Sequence, residues 1–286
     1  MKILIAGCGY VGAAFGQAMA KAGHQVWGIR RNWGTEGPEG SGPSVPIRLI
    51  QADLLDPKTL SNLPVVDWVL FSQSPSKKDD SYRKTYFQAT ANLLNSFKQA
   101  LPKKIVFISS TSVYGNSNGE WVDEKTPANT SDSDARILLE TEKLILSSKF
   151  PSVVVRLAGI YGPGRNRLKP ILSGEFKPAL DDNVFTNRIH RDDIVQAIQL
   201  LFEKAPVGEI FIGADDSPCT QKEFYEWIYQ KLGIPLPEAG GDKIHPHRSN
   251  KRCRNAKLAA LGLKLRYRNF KEGYEELIRD YSPAQH

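Results

Sequence analysis

Three cysteines in 286 residues, Cys8, Cys219 and Cys253, are too few and too scattered for a disulfide framework or a cysteine metal site. They read as reduced thiols. Long apolar runs are missing as well: none approaches the roughly 20 residues of a membrane helix, and the run after Lys2 is too short for a signal peptide. The expectation is no membrane partner and a cytoplasmic location. Internal repeats and low-complexity tails are also absent. The formal net charge is +7, yet no basic block interleaved with aromatics follows a recognisable binding module, so nucleic acid is not an expected partner. The densest basic cluster, Arg248, Lys251, Arg252 and Arg254, reads equally as a solvated loop or as a group that meets a phosphorylated small molecule.

What is present is an ordinary globular composition, 41% hydrophobic and 24% charged, in a chain long enough for about two domains. Its organising stretch is residues 2–12, where Ile3, Leu4, Ile5 and Ala6 meet Gly7-Cys8-Gly9-Tyr10-Val11-Gly12. This is a buried strand turning directly into a helix. Gly7 and Gly9 let the backbone approach a pyrophosphate, Gly12 lets the helix pack tightly on the strand, and the helix N-terminus favours an anion. Dinucleotide binding follows from strand, turn and helix in that order.

The first helix places Val11, Ala14, Phe15, Ala18, Met19 and Ala22 on one face and stops at Gly23. Further strands are expected at 25–29, 47–52, 65–71, 104–108, 152–157 and 208–212, with helices at 81–100, 132–149 and 192–204 and a short helix or turn at 54–63. Residues 32–46 carry too much Gly and Pro for a regular helix. Alternation of this kind predicts an α/β, doubly wound parallel sheet. Beyond it, Thr220 and Glu223 form a capping box, a helix runs to Leu232 and stops at Gly233, and Asn269 caps the last helix, while 235–254 reads as a surface excursion.

Residues 109–115 (Ser-Ser-Thr-Ser-Val-Tyr-Gly) after the fifth strand, together with the glycine turn, resemble the extended short-chain dehydrogenase/reductase family, which includes the NAD-dependent epimerase/dehydratases of nucleotide sugars. Further matches are 90–94 (TANLL), 156–165 (RLAGIYGPGR) and 189–194 (IHRDDI). The resemblance implies a Rossmann domain, 1–161 plus 186–213, and a small C-terminal lobe, 162–185 plus 214–286, that closes over a small-molecule substrate. It implies cofactor contacts from Gly7, Gly9, Tyr10, Val11, Gly12 and Ser72. Asp53 would touch the adenine, or equally cap the turn at Leu54. Arg156, His190 and Arg252 are expected at the substrate; His190 could equally satisfy backbone groups ahead of its helix. The family also implies a monomer or a homodimer.

The departures from the family matter more. Ser110 matches the usual active-site Ser, four positions before Tyr114, but the expected Tyr-x-x-x-Lys is missing from the start of the helix near Asp132, where Arg136 is the only cation in residues 132–140. Tyr267 to Lys271 repeats the spacing near the C-terminus by coincidence. The chain therefore resembles the atypical branch of the family. Arg136 could supply the charge of the Lys but not a proton, its pKa being far too high. The proton would travel through Tyr114 or a bound water, unless Tyr114 simply packs against its loop. About 20 residues past the glycine turn, where an acid would bind the ribose hydroxyls, stand Arg30 and Arg31, so NADP is expected over NAD, the alternative being a solvated strand end. Two functions follow: an NAD(P)-dependent epimerase/dehydratase-like or reductase-like enzyme acting on a small polar substrate, a nucleotide sugar among the options, or a catalytically degenerate NADP(H) sensor.

Overall fold

The structure, a computed structural model, describes residues 1–31, 47–75, 82–97, 101–174, 176–178, 180–238 and 250–281. The stretch 32–46 and Arg248 lie outside the described residues. In chain order the elements are β1 (Lys2–Ala6), α1 (Tyr10–Lys21), β2 (Gln25–Arg30), β3 (Arg48–Gln51), a 3₁₀ turn (Pro57–Leu60), β4 (Trp68–Phe71), a π-helical turn (Arg83–Gln88) continuing into α2 (Ala89–Ser96), β5 (Lys104–Ser110), a second 3₁₀ turn (Thr111–Tyr114), β6 (Trp121–Val122) and α3 (Ser133–Leu146). There follow β7 (Ser152–Leu157), β8 (Gly159–Tyr161), α4 (Leu168–Leu172), β9 (Phe185–Thr186), β10 (Arg188–His190), α5 (Arg191–Lys204), β11 (Ile210–Gly213), β12 (Cys219–Thr220), α6 (Gln221–Leu232), β13 (Arg252–Cys253), α7 (Ala256–Ala260) and α8 (Phe270–Asp280).

Seven strands form one sheet in the order β11-β7-β5-β4-β1-β2-β3. From β3 to β5 the neighbours pair in parallel, with Ile5 opposite Gly28 on one side and Leu70 on the other. Every residue of β4 and β7 is buried, which is what a parallel strand covered on both faces requires and why these segments read as unbroken apolar runs. The Rossmann-type α/β fold follows from this sheet and its helices.

The chain divides into two compact units, Met1–Ser110 with Ser133–Arg156 and Ile194–Phe211, and Thr111–Asp132 with Leu157–Asp193 and Ile212–His286. Residues 111–132, 157–161, 186–193 and 212–213, which the family resemblance groups with the Rossmann domain, belong to the second unit. Their pairing explains it. β8 pairs with β10, and β6 pairs with β13 some 130 residues later, so these short strands build ribbons of their own.

In the first unit Phe15 of α1 stacks on Phe202 of α5, which stacks on Trp68 at 4.7 Å. Lys104 completes α5: its Nζ donates to the carbonyls of Leu201, Phe202 and Ala205 at 3.0, 3.1 and 2.6 Å, filling acceptors that a helix end leaves open. The inward face of α1 is Val11, Phe15 and Met19 as read from sequence, whereas Ala22 is exposed because the helix ends one residue earlier.

The second unit has its own core, Tyr161, Leu168, Phe224, Ile228, Phe270 and Tyr274, between α4, α6 and α8. Both expected caps are present. Thr220 and Glu223 form the capping box of α6, which ends on Gly233 in the left-handed region, and Asn269 accepts from Glu272 N at the start of α8.

Candidate functional site

In the first unit the turn between β1 and α1 opens onto a cavity of about 610 Å³. The three glycines differ in what they permit. Gly7 has φ +83° and a Cβ there would collide with the backbone of Gln73; one at Gly12 would meet Ser72 Oγ at 2.6 Å and Gly7 O at 2.7 Å. Around Gly9, by contrast, nothing stands within 4 Å of the Cβ position, and the residue lines the cavity. A side chain at residue 9 would fill the space that a pyrophosphate needs, so the residues present fit a dinucleotide. No side chain caps α1 and no acid stands in its first turn, which leaves the positive end of the helix to a ligand.

Gly7, Gly9, Arg30, Arg31, Asp53 and Ser72 all line this cavity. Ser72 Oγ donates to Gly7 O at 2.9 Å and so holds the turn. Asp53 Oδ1 accepts from Leu55 N at 2.9 Å, which makes it a turn cap that also faces the cavity. Among the described residues it is the only carboxylate in the lining. Tyr10 and Val11 open α1 without lining the cavity, Val11 being part of the core. Gln73, Thr85 and Ala89 line it too and were not singled out in the sequence. Thr85 comes from the π-helical turn and Ala89 from the first position of α2 that follows it, a local geometry that residue periodicity does not announce.

The second unit holds a separate cavity of about 670 Å³. Among the described residues its charged lining consists of Arg165, Arg167, Arg188 and Lys251, with no carboxylate; Asn166, Asn187, Thr111 and Gln221 add neutral polar groups, and Phe185, Phe224 and Tyr225 add aromatic walls. Arg188 is held in place: it lies 3.6 Å from the centre of the Phe224 ring and donates to Thr186 Oγ1 at 2.9 Å. Such a cavity suits an anion carrying a flat or hydrogen-bonding group.

None of the three expected substrate residues lines this cavity. Arg156, in the first unit, is 4% exposed and grips Glu142 with two bonds, Nε to Oε1 at 3.1 Å and Nη2 to Oε2 at 2.7 Å; it is a packing ion pair. His190 is 2% exposed, lies between Tyr161 and Tyr267, and accepts at Nδ1 from Asp192 N at 3.2 Å. Burial pulls its pKa down to about 4, and the neutral ring caps the start of α5. Arg252 donates from Nε to Gly119 O at 2.6 Å, with its guanidinium over the rings of Trp121 and Phe185. The sequence offered Arg165 and Arg188 inside or beside the quoted motifs and Lys251 beside Arg252, but nothing in spacing alone distinguishes a cation that packs from one that faces a cavity.

Of the expected catalytic residues, Ser110 ends β5, Tyr114 ends the following 3₁₀ turn at 2% exposure, and Arg136 is exposed on α3; none lines either cavity. The helix that should carry Tyr and Lys is formed, so the missing pair is a chemical departure and not a misplaced element. Tyr267 of the coincidental Tyr-x-x-x-Lys donates to Glu276 Oε2 at 2.8 Å, a bond within the second unit. The three cysteines are buried and unbridged, and among the described residues no His, Cys, Asp and Glu cluster is placed to hold a metal. No described helix is long and apolar enough to cross a membrane.

Known proteins carry the same plan. Protein YeeZ of Escherichia coli K12 is 30% identical over 243 residues, 83% of this chain and 86% of that one. The structure of UDP-glucose 4-epimerase from Thermus thermophilus in complex with NAD superposes with a TM-score of 0.82 at 18% identity, over 99% and 100% of the two chains. That of dTDP-glucose 4,6-dehydratase from Bacillus anthracis in complex with NAD gives 0.82 at 20%, over 100% and 97%. With the model of the NAD dependent epimerase/dehydratase family matching residues 3–212, and with the glycine turn, sheet order and cavity described above, the chain belongs to that family.

Proposed function

We propose that this chain is a redox enzyme of epimerase, dehydratase or reductase type that takes NADP(H) in preference to NAD(H) in the first unit and a small anionic, nucleotide-linked substrate in the cavity of the second. The observation that carries the reading is the pair Arg30 and Arg31 in the lining of the glycine-turn cavity, where the sole described carboxylate, Asp53, already accepts from Leu55 N. The residues that would hold the cofactor are Gly9 and the start of α1 at the pyrophosphate, with Arg30 and Arg31 at a ribose phosphate; bound there, a nicotinamide supplies hydride chemistry. The second cavity, with Arg165, Arg167, Arg188 and Lys251 and no carboxylate among the described residues, supports an anionic substrate, and its volume is in the range of small-molecule sites.

Calorimetry with NADPH and NADH on the wild type and on Arg30→Ala and Arg31→Ala tests the cofactor half. Each charge-assisted phosphate contact contributes roughly 1.5–3 kcal/mol, so each variant should lose about tenfold to hundredfold for NADPH and little for NADH. Equal wild-type affinity for the two nucleotides rejects the preference. A panel of nucleotide sugars followed at the nicotinamide absorbance tests the rest, and tight NADPH binding without turnover of any of them favours the sensor.

A further inference from the structure

The described lining of the second unit's cavity contains one amine, that of Lys251. Its Nζ donates to Gly115 O at 2.9 Å, and Gly115 ends the Ser-Ser-Thr-Ser-Val-Tyr-Gly segment whose Thr111 lines the same cavity. The backbone beneath it is pinned on both sides. Lys251 O accepts from Asn187 Nδ2 at 2.8 Å, and Asn250 O, on a residue with φ +67°, accepts from Ser117 N and Gly119 N. The side chain is 3% exposed, whereas lysine ordinarily keeps its head group in water.

Burial is what disfavours an ammonium ion at Lys251. Arg165, Arg167 and Arg188 line the same cavity and no described carboxylate does. Two residues further along the chain stands Cys253, a thiol that burial pushes up to about 12 and therefore leaves uncharged at neutral pH. Burial lowers the Lys251 pKa from the ordinary lysine value, which brings its proton exchange towards neutral pH. A neutral amine keeps its lone pair while one N–H remains on Gly115 O. Lysine so tuned is a competent general acid and base.

We infer that Lys251 is a catalytic residue, exchanging a proton with the reacting oxygen of the substrate in place of the tyrosine that α3 lacks. The inference rests on the reading of this cavity as the substrate site. In one direction the amine takes the hydroxyl proton: the O–H bond breaks, an N–H bond forms, the oxygen keeps the electron pair and the amine becomes ammonium. In the other direction the ammonium returns the proton to the oxygen.

The test treats the full-length protein with pyridoxal 5′-phosphate, an aldehyde that is also an anion, reduces the imine with borohydride and maps the labelled peptides across pH 6–10. The Lys251 peptide should label at least about tenfold faster than surface lysines, with a rate midpoint below theirs, as a lowered pKa requires. Lys251→Arg should lose that label while still binding NADPH. On any nucleotide sugar that the wild type turns over, the same variant should lose about 10² or more in kcat and the pH limb that the amine sets, because a guanidinium cannot give up its proton. Labelling no faster than at surface lysines, or wild-type turnover in Lys251→Arg, overturns the inference. Inorganic pyrophosphate separates the two levels: if it binds to wild type and to Lys251→Met while Lys251 labels as an ordinary lysine, the cavity reading stands and the catalytic role falls. If it neither binds nor protects Lys251 from label, the cavity reading falls with it.

Discussion

Arg156 and Glu142 are joined at two points, 3.1 and 2.7 Å, with both side chains almost wholly buried, and Ser109 Oγ donates to the same carboxylate at 2.5 Å. β7 is thereby tied to α3 and to the end of β5. Removing one partner leaves a buried charge with no counter-charge, which typically costs about 3–5 kcal/mol.

Arg156→Met should therefore lower the melting temperature by roughly 6–20 °C, taking about 2–4 °C per kcal/mol for a chain of this size. The folded fraction should bind NADPH as the wild type does, since neither residue lines the nucleotide cavity. A variant that melts normally but loses substrate affinity would return Arg156 to the substrate site.

The glycines of the opening turn should separate binding from folding. Gly9→Ala places a methyl group in open space within the cavity lining, so NADPH affinity should fall at least about tenfold with little change in melting temperature. Gly12→Ala drives its Cβ against Ser72 Oγ and Gly7 O and should cost about 1–3 kcal/mol of stability instead. Scanning calorimetry with and without NADPH distinguishes the two, and the same pattern in both variants would contradict this division.

Lys104→Met keeps the length of the side chain but leaves three carbonyls at the end of α5 without their donor. Losing hydrogen bonds from a charged group here should destabilise the first unit by about 1.5–3 kcal/mol. Urea unfolding with an unchanged m-value and a lowered midpoint is the expected result; an unchanged midpoint would mean that water replaces the amine at no cost.

Asp215 gives the second unit a pH dependence. It is 2% exposed, accepts from Ser217 N at 3.1 Å, and burial lifts its carboxyl to about 8. A carboxyl whose folded value lies above its unfolded value of about 3.9 retains a proton in the folded chain that the unfolded chain has released. Its contribution is therefore fully present below about pH 4 and declines as the pH rises towards 8. Relative to Asp215→Asn, which carries no ionisable group, the wild type should lose up to about 1.4 kcal/mol per pH unit across that window. Melting curves of both proteins from pH 5 to 8 should diverge in favour of the variant, and a constant gap would place the carboxyl in the ordinary range.

Much of the frame was legible because its signals are local. β7 falls on its expected residues, and Thr220 and Asn269 are caps because their acceptors lie three residues from the donors they meet. The strand expected at 65–71 begins only at Trp68, Val65 being 63% exposed: apolar type without a covering neighbour does not make a strand. The ribbons β6/β13 and β9/β12 are two residues deep and depend on partners far along the chain, so no periodicity could reveal them. The site divides in the same way. The glycine turn was readable because its chemistry is contiguous, whereas Arg156 and Arg188 look alike in sequence, and only a carboxylate 14 residues before one and a phenyl ring 36 residues after the other decide which packs and which faces a cavity.

The interleaving of the two units sets the order in which a growing chain can finish them. Thr111 and Tyr274 line the same cavity, and α8, which carries Tyr274, is the final helix described. On the ribosome every lining residue up to Lys251 is made before the wall that Tyr274 completes, so the cationic cavity exists only after α8 has emerged. A nascent chain halted before Phe270 would carry the complete glycine turn yet lack the last wall of the cationic cavity.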